Sequence, residues 1–520
     1  MLFNSYIFMF AFLPLVWLVH AAMRRLLPAG ANGVLALASL GFYAWWDVRF
    51  LPLILLSIAG NFILGRRIIG TRARTEMAAA RGWMVLGIVA NLSLLGFFKY
   101  ADFFLGTLAF VSGQPITPLG ILLPIGISFF TFQQIAYLID VHQGRSDRYG
   151  LIDYTLFVSF FPQLIAGPIV HHREMMPQFV ASHGDRSRDV ALGLTVFIAG
   201  LFKKVILADN LAAFATPVFA AADLGGPVTS LEAWGGALAY TFQLYFDFSG
   251  YSDMAIGLGL MFGIRLPINF NSPYKATSII DFWRRWHMTL SQFLRDYLYI
   301  PLGGNRKGPA RRYVNLFATM LLGGLWHGAG WGFVFWGGLH GIYLALNHML
   351  HHSIPTPRNA AARKALSMAG WLTTFLAVVF AWVFFRATTF NGALEIVQAM
   401  LGIGGFSLPA DFAAHLGSLP TRIGLSYAHA SVLGLKDWAL TGVPFIGMAG
   451  LAALILPNSA QIFLAGNARY RQLYANLPAP PRLRLLSWTP HPAMAGMAAA
   501  CFALALIYAS TISEFLYFQF

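Results

Sequence analysis

Long apolar segments separated by short polar connections run through almost the whole chain. A helix needs about 20 apolar residues to cross a bilayer, so the shorter segments indicate partial crossings or buried helices. We therefore predict roughly nine to thirteen crossings. Because hydrocarbon cannot hydrogen-bond the backbone, such segments predict an all-α polytopic integral membrane protein. The candidate spans are 5–22, 32–47, 50–65, 83–98, 102–112, 117–139, 151–170, 189–208, 234–262, 314–347, 367–386, 440–456 and 495–512.

The composition agrees with a membrane protein, since 58% of the residues are hydrophobic and only 11% are charged. A net charge of +15 could indicate nucleic-acid binding, but the Lys and Arg residues fall between the apolar segments. That distribution is typical of membrane topology, so we predict the lipid bilayer and no nucleic acid as a partner. Without an internal repeat or a soluble domain, one membrane domain over 1–520 is the simplest partition, with a core motif region at about 240–347.

The basic connections also predict an orientation. Arg24 and Arg25 follow the first span, and five arginines fill the connection 66–81 after the third. Because cytoplasmic loops are enriched in Lys and Arg, both loops are predicted to be cytoplasmic and the N-terminus periplasmic. Met1–Val19 has no charged start, so the first span is interpreted as a retained helix and not as a cleaved signal peptide.

One ionisable side chain lies near the middle of the apolar run 314–347, where the glycine-rich string 323–331 contains His327. Its structural interpretation is a hydrogen bond to a neighbouring helix. Its functional interpretation is a dry, neutral imidazole that accepts a proton from a hydroxyl nucleophile. The glycines around it allow either close helix packing or a narrow passage for a substrate. Both alternatives remain open on the sequence alone.

A cationic region, 264–313, precedes this histidine. Within it the apolar residues of Ser278–Ile300 recur at helical spacing and predict one amphipathic helix lying along the interface. His287 falls on the border of the wet face. It is either an interfacial histidine that caps a helix, or a second catalytic or thioester-orienting group that faces the same cavity as His327. A basic turn, Gly303–Gly308, closes the helix and lacks the spacing of a Walker A loop.

Carboxylates and prolines mark two further places. Asp247 and Asp253 lie inside or beside an apolar segment, where they are costly unless paired. They either join a polar network that links helices, or they orient a histidine or bind a substrate group. Two prolines and a glycine interrupt Phe161–Pro168, which predicts a kinked or re-entrant piece lining a cavity.

The sequence gives no support for metal or thiol chemistry. Cys501 is the single cysteine, which excludes an intrachain disulfide, a cysteine-based zinc site and an iron–sulfur cluster. No His-Glu-x-x-His string occurs, and His171 and His172 lie in a loop without partners at ligand spacing. His340 lies 13 residues after His327, on a different face of a continuous helix. We assign no metal.

Several strings together resemble the membrane-bound O-acyltransferase family, in particular its bacterial polysaccharide branch, typified by the membrane subunit of alginate O-acetyltransferase. Their order and spacing make the resemblance specific, and it covers most of the chain. The strings are Met1–Tyr6, Phe42–Trp46, Tyr245–Asp253, Asp281–Ser291, Arg295–Lys307 and Leu325–Gly328.

The resemblance implies a ring of tilted helices, with re-entrant or interfacial pieces, around a central funnel. His327 matches the essential histidine of the family, and His287 matches a second polar position that is histidine in some branches and asparagine in others. It also implies a multi-pass protein of the bacterial inner membrane that carries no bound cofactor and uses acetyl-CoA as acyl donor. The implied partners are a periplasmic Ser-His-Asp acetyltransferase and a polysaccharide synthesis and export complex.

The expected reaction moves an acetyl group from a cytoplasmic thioester toward a periplasmic acceptor. His327 would activate the acceptor hydroxyl directly or carry the acetyl group as a transient acyl-imidazole, and these two routes remain open. Basic side chains would attract the phosphates of the thioester. The predicted substrate-binding residues are Arg284, Ser291, Arg295, Asn305, Arg306, Lys307, Trp326, Asp247 and Asp253.

Alginate is the first candidate polymer, with cellulose, peptidoglycan and other exopolysaccharides as alternatives. A transporter or flippase is the rival from another functional class, and a scaffold for a polysaccharide synthase is a third possibility. The lack of repeat symmetry and the cationic segment before His327 oppose the transporter.

Overall fold

The computed structural model describes residues 1–146, 148–180, 186–353, 357–429, 431–434, 437–474, 477–481, 487–509 and 515–516. The predicted span 495–512 therefore ends outside the described residues. The helices are α1 Leu13–Leu26, α2 Ala31–Ala44, α3 Leu51–Ala73, α4 Met77–Leu95, α5 Ala101–Ser112, α6 Ile127–His142, α7 Leu151–Ser159, α8 Phe161–Leu164, α9 His172–Met175, α10 Arg186–Phe202, α11 Asp209–Asp223, α12 Ser230–Phe262, α13 Ile279–Trp283, α14 Met288–Leu294, α15 Gly308–His327, α16 Trp331–Ser353, α17 Ala360–Arg386, α18 Phe390–Leu401, α19 Ala413–Leu416, α20 Leu419–Arg422, α21 Val443–Leu454, α22 Ala468–Leu473 and α23 Pro492–Tyr508. Two short parallel strands, β1 Ser407–Leu408 and β2 Ser426–Tyr427, pair with each other.

Six helical stretches of the described chain are long and apolar enough to cross a membrane. The prediction of an all-α polytopic membrane protein is confirmed. Six is fewer than the crossings predicted from the sequence: 151–170, for example, is shared by α7 and α8, and the predicted spans 83–98 and 102–112 fall within one stretch, Met77–Ser112. The six stretches are Phe8–Leu26, Val48–Ala73, Met77–Ser112, Ser187–Asp223, Ala360–Arg386 and Asp437–Leu454.

The longest helix, α12, organises the interior. It begins with a capping box, in which Thr229 and Glu232 satisfy each other's backbone N–H groups, and continues for 33 residues. Its first half belongs to one buried apolar cluster and its second half to another. A side chain at Gly257 would collide with the backbone of α10 at Gly193 and Phe197, so glycine lets these two helices approach closely. Helix α12 therefore links the two apolar clusters of the core.

Several helices contain one wide turn with π-helical hydrogen bonding, and basic residues lie in three of these turns. Lys99 lies in Gly96–Tyr100, Lys203 and Lys204 lie in Lys203–Ala208, and Arg295 begins Arg295–Tyr299. Such turns displace the helix locally and occur frequently at functional sites.

The prediction of one continuous helix over Ser278–Ile300 is wrong. The segment forms α13 and α14, separated by a turn in which His287 has a φ of +42°. The backbone there bonds to the extended segment before α13: Asn271 N–H donates to the Arg285 carbonyl at 2.9 Å, and Met288 N–H donates to the Asn269 carbonyl at 2.9 Å. These bonds take backbone groups that a continuous helix would need.

The apolar run 314–347 is also two helices and not one span. α15 ends at His327, and α16 begins at Trp331. A side chain at Gly324 would strike the backbone of α16 at Gly337, and one at Gly337 would strike the backbone of α15 at Met320. Of the two roles considered for the glycines around His327, close helix packing is thus the one that Gly324 has.

Candidate active site

His327 occupies the last position of α15 and is 4% exposed. Aromatic side chains surround its ring: centroid distances are 4.9 Å to Trp326, 5.1 Å to Trp336 and 5.4 Å to Phe385. These rings come from three helices, because α15, α16 and α17 pack side by side. The surroundings keep the imidazole away from bulk water and restrict its orientation.

Two neighbouring residues on the wide turn before α5 cap the end of α15. The Tyr100 hydroxyl donates to the Leu325 carbonyl at 2.9 Å, and the Lys99 ammonium donates to the carbonyls of Trp326 and His327 at 2.5 and 3.2 Å. The last carbonyls of a helix lack partners within the helix, and a cation is favourable there. Lys99 and Tyr100 thus fix the backbone of His327. Neither residue was predicted as part of the site, although Lys99 is conspicuous as a lone cation in an apolar region of the sequence.

His287, 40 residues earlier in the chain, lies beside His327, with 6.2 Å between the ring centroids. It is fully buried, so its predicted place on the border of a wet face is wrong. Burial lowers the pKa of His287 to about 3, which leaves the ring neutral near pH 7. Its Nδ1 lies 3.1 Å from Oδ1 of Asn269. The structure thus brings both predicted catalytic histidines into one place.

A cavity of about 980 Å³ lies alongside the middle of α15. Three of the predicted substrate-binding residues line it: Arg284, Ser291 and Arg295. Arg265 lines it too and was not among the predicted substrate contacts. The bond from Arg295 Nε to Asp296 Oδ1, at 2.7 Å, raises the pKa of Arg295, which stays charged.

The cavity approaches the histidine pair from one side. Met288 and Thr289, directly after His287, contribute to its wall, and so do Thr319 and Met320, two turns before His327. Its volume is at the upper end of the range for small-molecule sites, about 300–1,000 Å³. It has the size and the positive charge to hold a phosphate-bearing substrate, although neither His287 nor His327 is itself part of its wall.

A second, smaller cavity of about 100 Å³ lies at the end of α15. Lys99 and Trp326 line it, together with Trp46, Ser128 and Ile165. Trp326 is therefore not a wall of the large cavity but of this small one. Ile165 comes from the predicted kinked segment Phe161–Pro168, whose helix α8 ends at Leu164.

The remaining predicted contacts lie elsewhere. Asn305, Arg306 and Lys307 form an exposed turn before α15, and none of them lines a cavity in the described part of the chain. At about 1.5 Å per residue, the 20 residues of α15 separate this turn from His327 by about 30 Å. These three side chains can meet only the outer end of a long substrate.

Among the described residues, neither Asp247 nor Asp253 forms a hydrogen bond or an ion pair with His287 or His327. Asp247 pairs with Lys204 at 2.7 Å and Asp253 pairs with Lys203 at 2.6 Å. Asp253 also accepts from the Ser459 hydroxyl at 2.6 Å. The structure favours the helix-linking network over the substrate-binding or histidine-orienting role considered for both.

Comparisons with known proteins give the family. The family model described as MBOAT, membrane-bound O-acyltransferase family, matches residues 123–388, which include both histidines and the large cavity's α13 and α14. The peptidoglycan O-acetyltransferase of Helicobacter pylori is 47% identical over 441 residues, 78% of this chain and 81% of that protein.

Two other groups of relatives match as well. The probable alginate O-acetylases AlgI of Azotobacter vinelandii and Pseudomonas aeruginosa are each 45% identical over 85% and 84% of this chain and 87% and 82% of their own length. The teichoic acid D-alanyltransferase of Streptococcus thermophilus is 28% identical over 52% of this chain. The resemblance noted in the sequence is confirmed: the chain belongs to the membrane-bound O-acyltransferase family and is an O-acyltransferase.

Proposed function

We propose that the protein transfers an acetyl group from acetyl-CoA, bound on the cytoplasmic side of a bacterial inner membrane, to a hydroxyl acceptor on the periplasmic side. A periplasmic Ser-His-Asp partner would then complete O-acetylation of an exopolysaccharide. The observation that carries the proposal is the arginine-lined cavity of about 980 Å³, whose wall includes Met288, the residue directly after the buried His287. The acetylases among the relatives support the choice of an acetyl group.

In this proposal the nucleotide phosphates of the donor lie against Arg265, Arg284 and Arg295, and its thioester extends toward His287 and His327. Charge-assisted hydrogen bonds from guanidinium groups suit phosphate oxygens. The neutral His327 ring removes the proton of the acceptor hydroxyl as that oxygen attacks the thioester carbonyl, and the thiolate of coenzyme A leaves. Exclusion of water by the surrounding aromatic rings protects the thioester from hydrolysis.

The acceptor polymer follows from the relatives and not from the site. Alginate is the first candidate because several 43–45% identical relatives are described as alginate O-acetylases. Peptidoglycan is the second, because a relative at 47% identity is described as a peptidoglycan O-acetyltransferase.

The proposal is tested with the purified protein in sealed vesicles that enclose either alginate oligomers or peptidoglycan fragments, each with periplasmic extract. Acetyl-CoA labelled in the acetyl group is supplied outside. We expect free thiol outside and label on the enclosed polymer, in equal amounts. Two outcomes contradict the proposal: thiol release that is the same with and without an enclosed acceptor, and label that never crosses the membrane. The polymer that gains label identifies the acceptor.

The arginine-lined cavity gives a second prediction. Replacing Arg284 with Gln is expected to raise KM for acetyl-CoA by about 3- to 10-fold and to leave kcat nearly unchanged, because a bond to a phosphate contributes equally in the ground state and in the transition state. Steady-state kinetics at low salt measure this change. Added salt should shrink the difference between the variant and the unchanged protein, since ions screen exposed charges.

The matched control is Arg311→Gln, which removes an exposed arginine of the same cationic region that does not line the cavity. Its KM is expected to stay within twofold of the unchanged protein. An equal rise of KM in both variants would mean that general positive charge, and not the cavity, attracts the donor.

A further inference from the structure

Asn269 lies in the extended segment between α12 and α13, and it is fully buried. Its side-chain oxygen Oδ1 is the common acceptor of three groups around the turn before α14. The Thr289 N–H lies 3.3 Å away, the Thr289 hydroxyl 2.9 Å away and His287 Nδ1 3.1 Å away. Asn269 was not among the site residues predicted from the sequence.

The orientation of the Asn269 amide is fixed by its neighbours. A backbone N–H can only donate, so the Asn269 atom that faces Thr289 must be the oxygen. The Thr289 hydroxyl accepts from the Ile169 N–H at 3.0 Å and has its own proton left for Asn269. The amide nitrogen of Asn269 points the other way, toward the Ser252 hydroxyl at 3.4 Å.

This orientation determines where His287 carries its proton. A neutral imidazole has one N–H and one bare nitrogen, and a carbonyl oxygen cannot donate. The Nδ1 atom of His287 must therefore carry the hydrogen that bonds to Asn269, and Nε2 keeps its lone pair. The main chain supports the same geometry, because the Asn269 carbonyl accepts from the Met288 N–H directly after His287.

We propose that Asn269 is a positioning residue that holds His287 in the Nδ1–H tautomer and so leaves Nε2 as a hydrogen-bond acceptor beside His327. The inference rests on the proposed acetyl transfer for its use: His287 Nε2 can accept a hydrogen bond from a second hydroxyl of the acceptor or from a water, which orients the acceptor, while His327 takes the proton of the attacking hydroxyl. The two ring centroids lie 6.2 Å apart and the ring planes are inclined at 61°, so the rings are neighbours but are not stacked.

The tautomer is tested directly by ¹⁵N NMR of histidine-labelled protein in lipid, in which protonated and bare ring nitrogens give separate signals. The two ring-nitrogen signals of His287 are identified as those that disappear in the His287→Gln variant. We expect a proton on Nδ1 and none on Nε2. A proton on Nε2 in the unchanged protein overturns the inference, whether or not acetyl transfer is observed. Absence of acetyl transfer from a protein with the Nδ1–H signal counts only against the proposed function.

Two variants of Asn269 connect the tautomer to activity. Asn269→Asp retains an acceptor oxygen for His287 and Thr289, whereas Asn269→Leu has similar size and no acceptor. In Asn269→Leu we expect the Nδ1–H signal of His287 to disappear and the transfer rate to fall by about 10- to 100-fold, as when a histidine loses the partner that orients it. Asn269→Asp should keep the signal and most of the rate.

The matched control is Asn91→Leu, which removes a buried asparagine amide from the pair that Asn61 and Asn91 form between α3 and α4. It should leave the His287 signal and the rate per folded protein unchanged. Equal losses in Asn91→Leu and Asn269→Leu, or full activity in an Asn269→Leu protein that has lost the Nδ1–H signal, would overturn the positioning role.

Discussion

Replacing His327 with alanine is expected to lower the rate of acetyl transfer by about 100- to 10,000-fold, the range of a lost general base. The ring of His287, whose centroid is 6.2 Å away, is held on a different element by its bond to Asn269 and so does not take the position of the lost ring. Thiol released from acetyl-CoA and label transferred to the acceptor should fall together, because both require attack on the same carbonyl. The decisive quantity is kcat at saturating acetyl-CoA.

The matched control for this variant is His20→Ala, which removes another buried histidine that packs on Phe262 at the end of α12. Both variants lose a buried ring, so a loss of folded protein should be similar in both. Only the His327 variant should lose rate per folded molecule. Equal rates in the His327 variant and the unchanged protein would exclude the role proposed for the imidazole, and a rate that falls equally in both variants would assign His327 to packing.

Much of the fold can be predicted from the chain because hydrocarbon imposes simple rules. The apolar runs and the basic connections predicted an all-α polytopic protein, and the motif strings around Asp253, His287 and His327 predicted the family. An ionisable residue inside such a run is also easy to recognise from the sequence, because the hydrocarbon of the bilayer penalises ionisable side chains and they are rare there. The burial of His327 could therefore be predicted from its neighbours in sequence.

The details of the site depend on contacts between distant parts of the chain. Helical spacing in Ser278–Ile300 predicted one helix, but backbone bonds from Asn269 and Asn271 break it at His287. Periodicity describes one segment at a time and cannot register a competing partner from another segment. The same limit hid Lys99, which reaches the carbonyl of a residue 228 positions later.

The carboxylates show a third case, in which the sequence left two interpretations open. Asp247 lies in an apolar helix, and its chemistry alone allows a substrate contact as well as a structural pair. The structure pairs it with Lys204, and the Leu516 N–H donates to its second oxygen at 3.1 Å. A partner that lies 43 residues earlier in a wide turn has no local signature in the sequence.

Replacing Lys204 with Met is therefore expected to lower the free energy of unfolding by about 3–5 kcal/mol, the cost of leaving a buried charge without its partner. Both side chains of the pair with Asp247 are 2% exposed, so water cannot compensate the abandoned carboxylate. Asp209, which also bonds to Lys204 at 2.8 Å, is 25% exposed and can turn toward solvent. Denaturation of the detergent-solubilised protein, followed by tryptophan fluorescence, measures the change.

A double variant tests the origin of that loss. Lys204→Met combined with Asp247→Leu removes both charges and should recover most of the stability, because apolar residues of similar volume can replace a buried ion pair. Arg49→Gln, which breaks the exposed pair with Asp47, should change nothing measurable. If the double variant is stable and still transfers acetyl groups, Asp247 serves only to hold α12 against the turn between α10 and α11. If the double variant is stable but inactive, the Asp247 carboxylate itself is needed for transfer, and its role is to bind a substrate group or to orient a histidine.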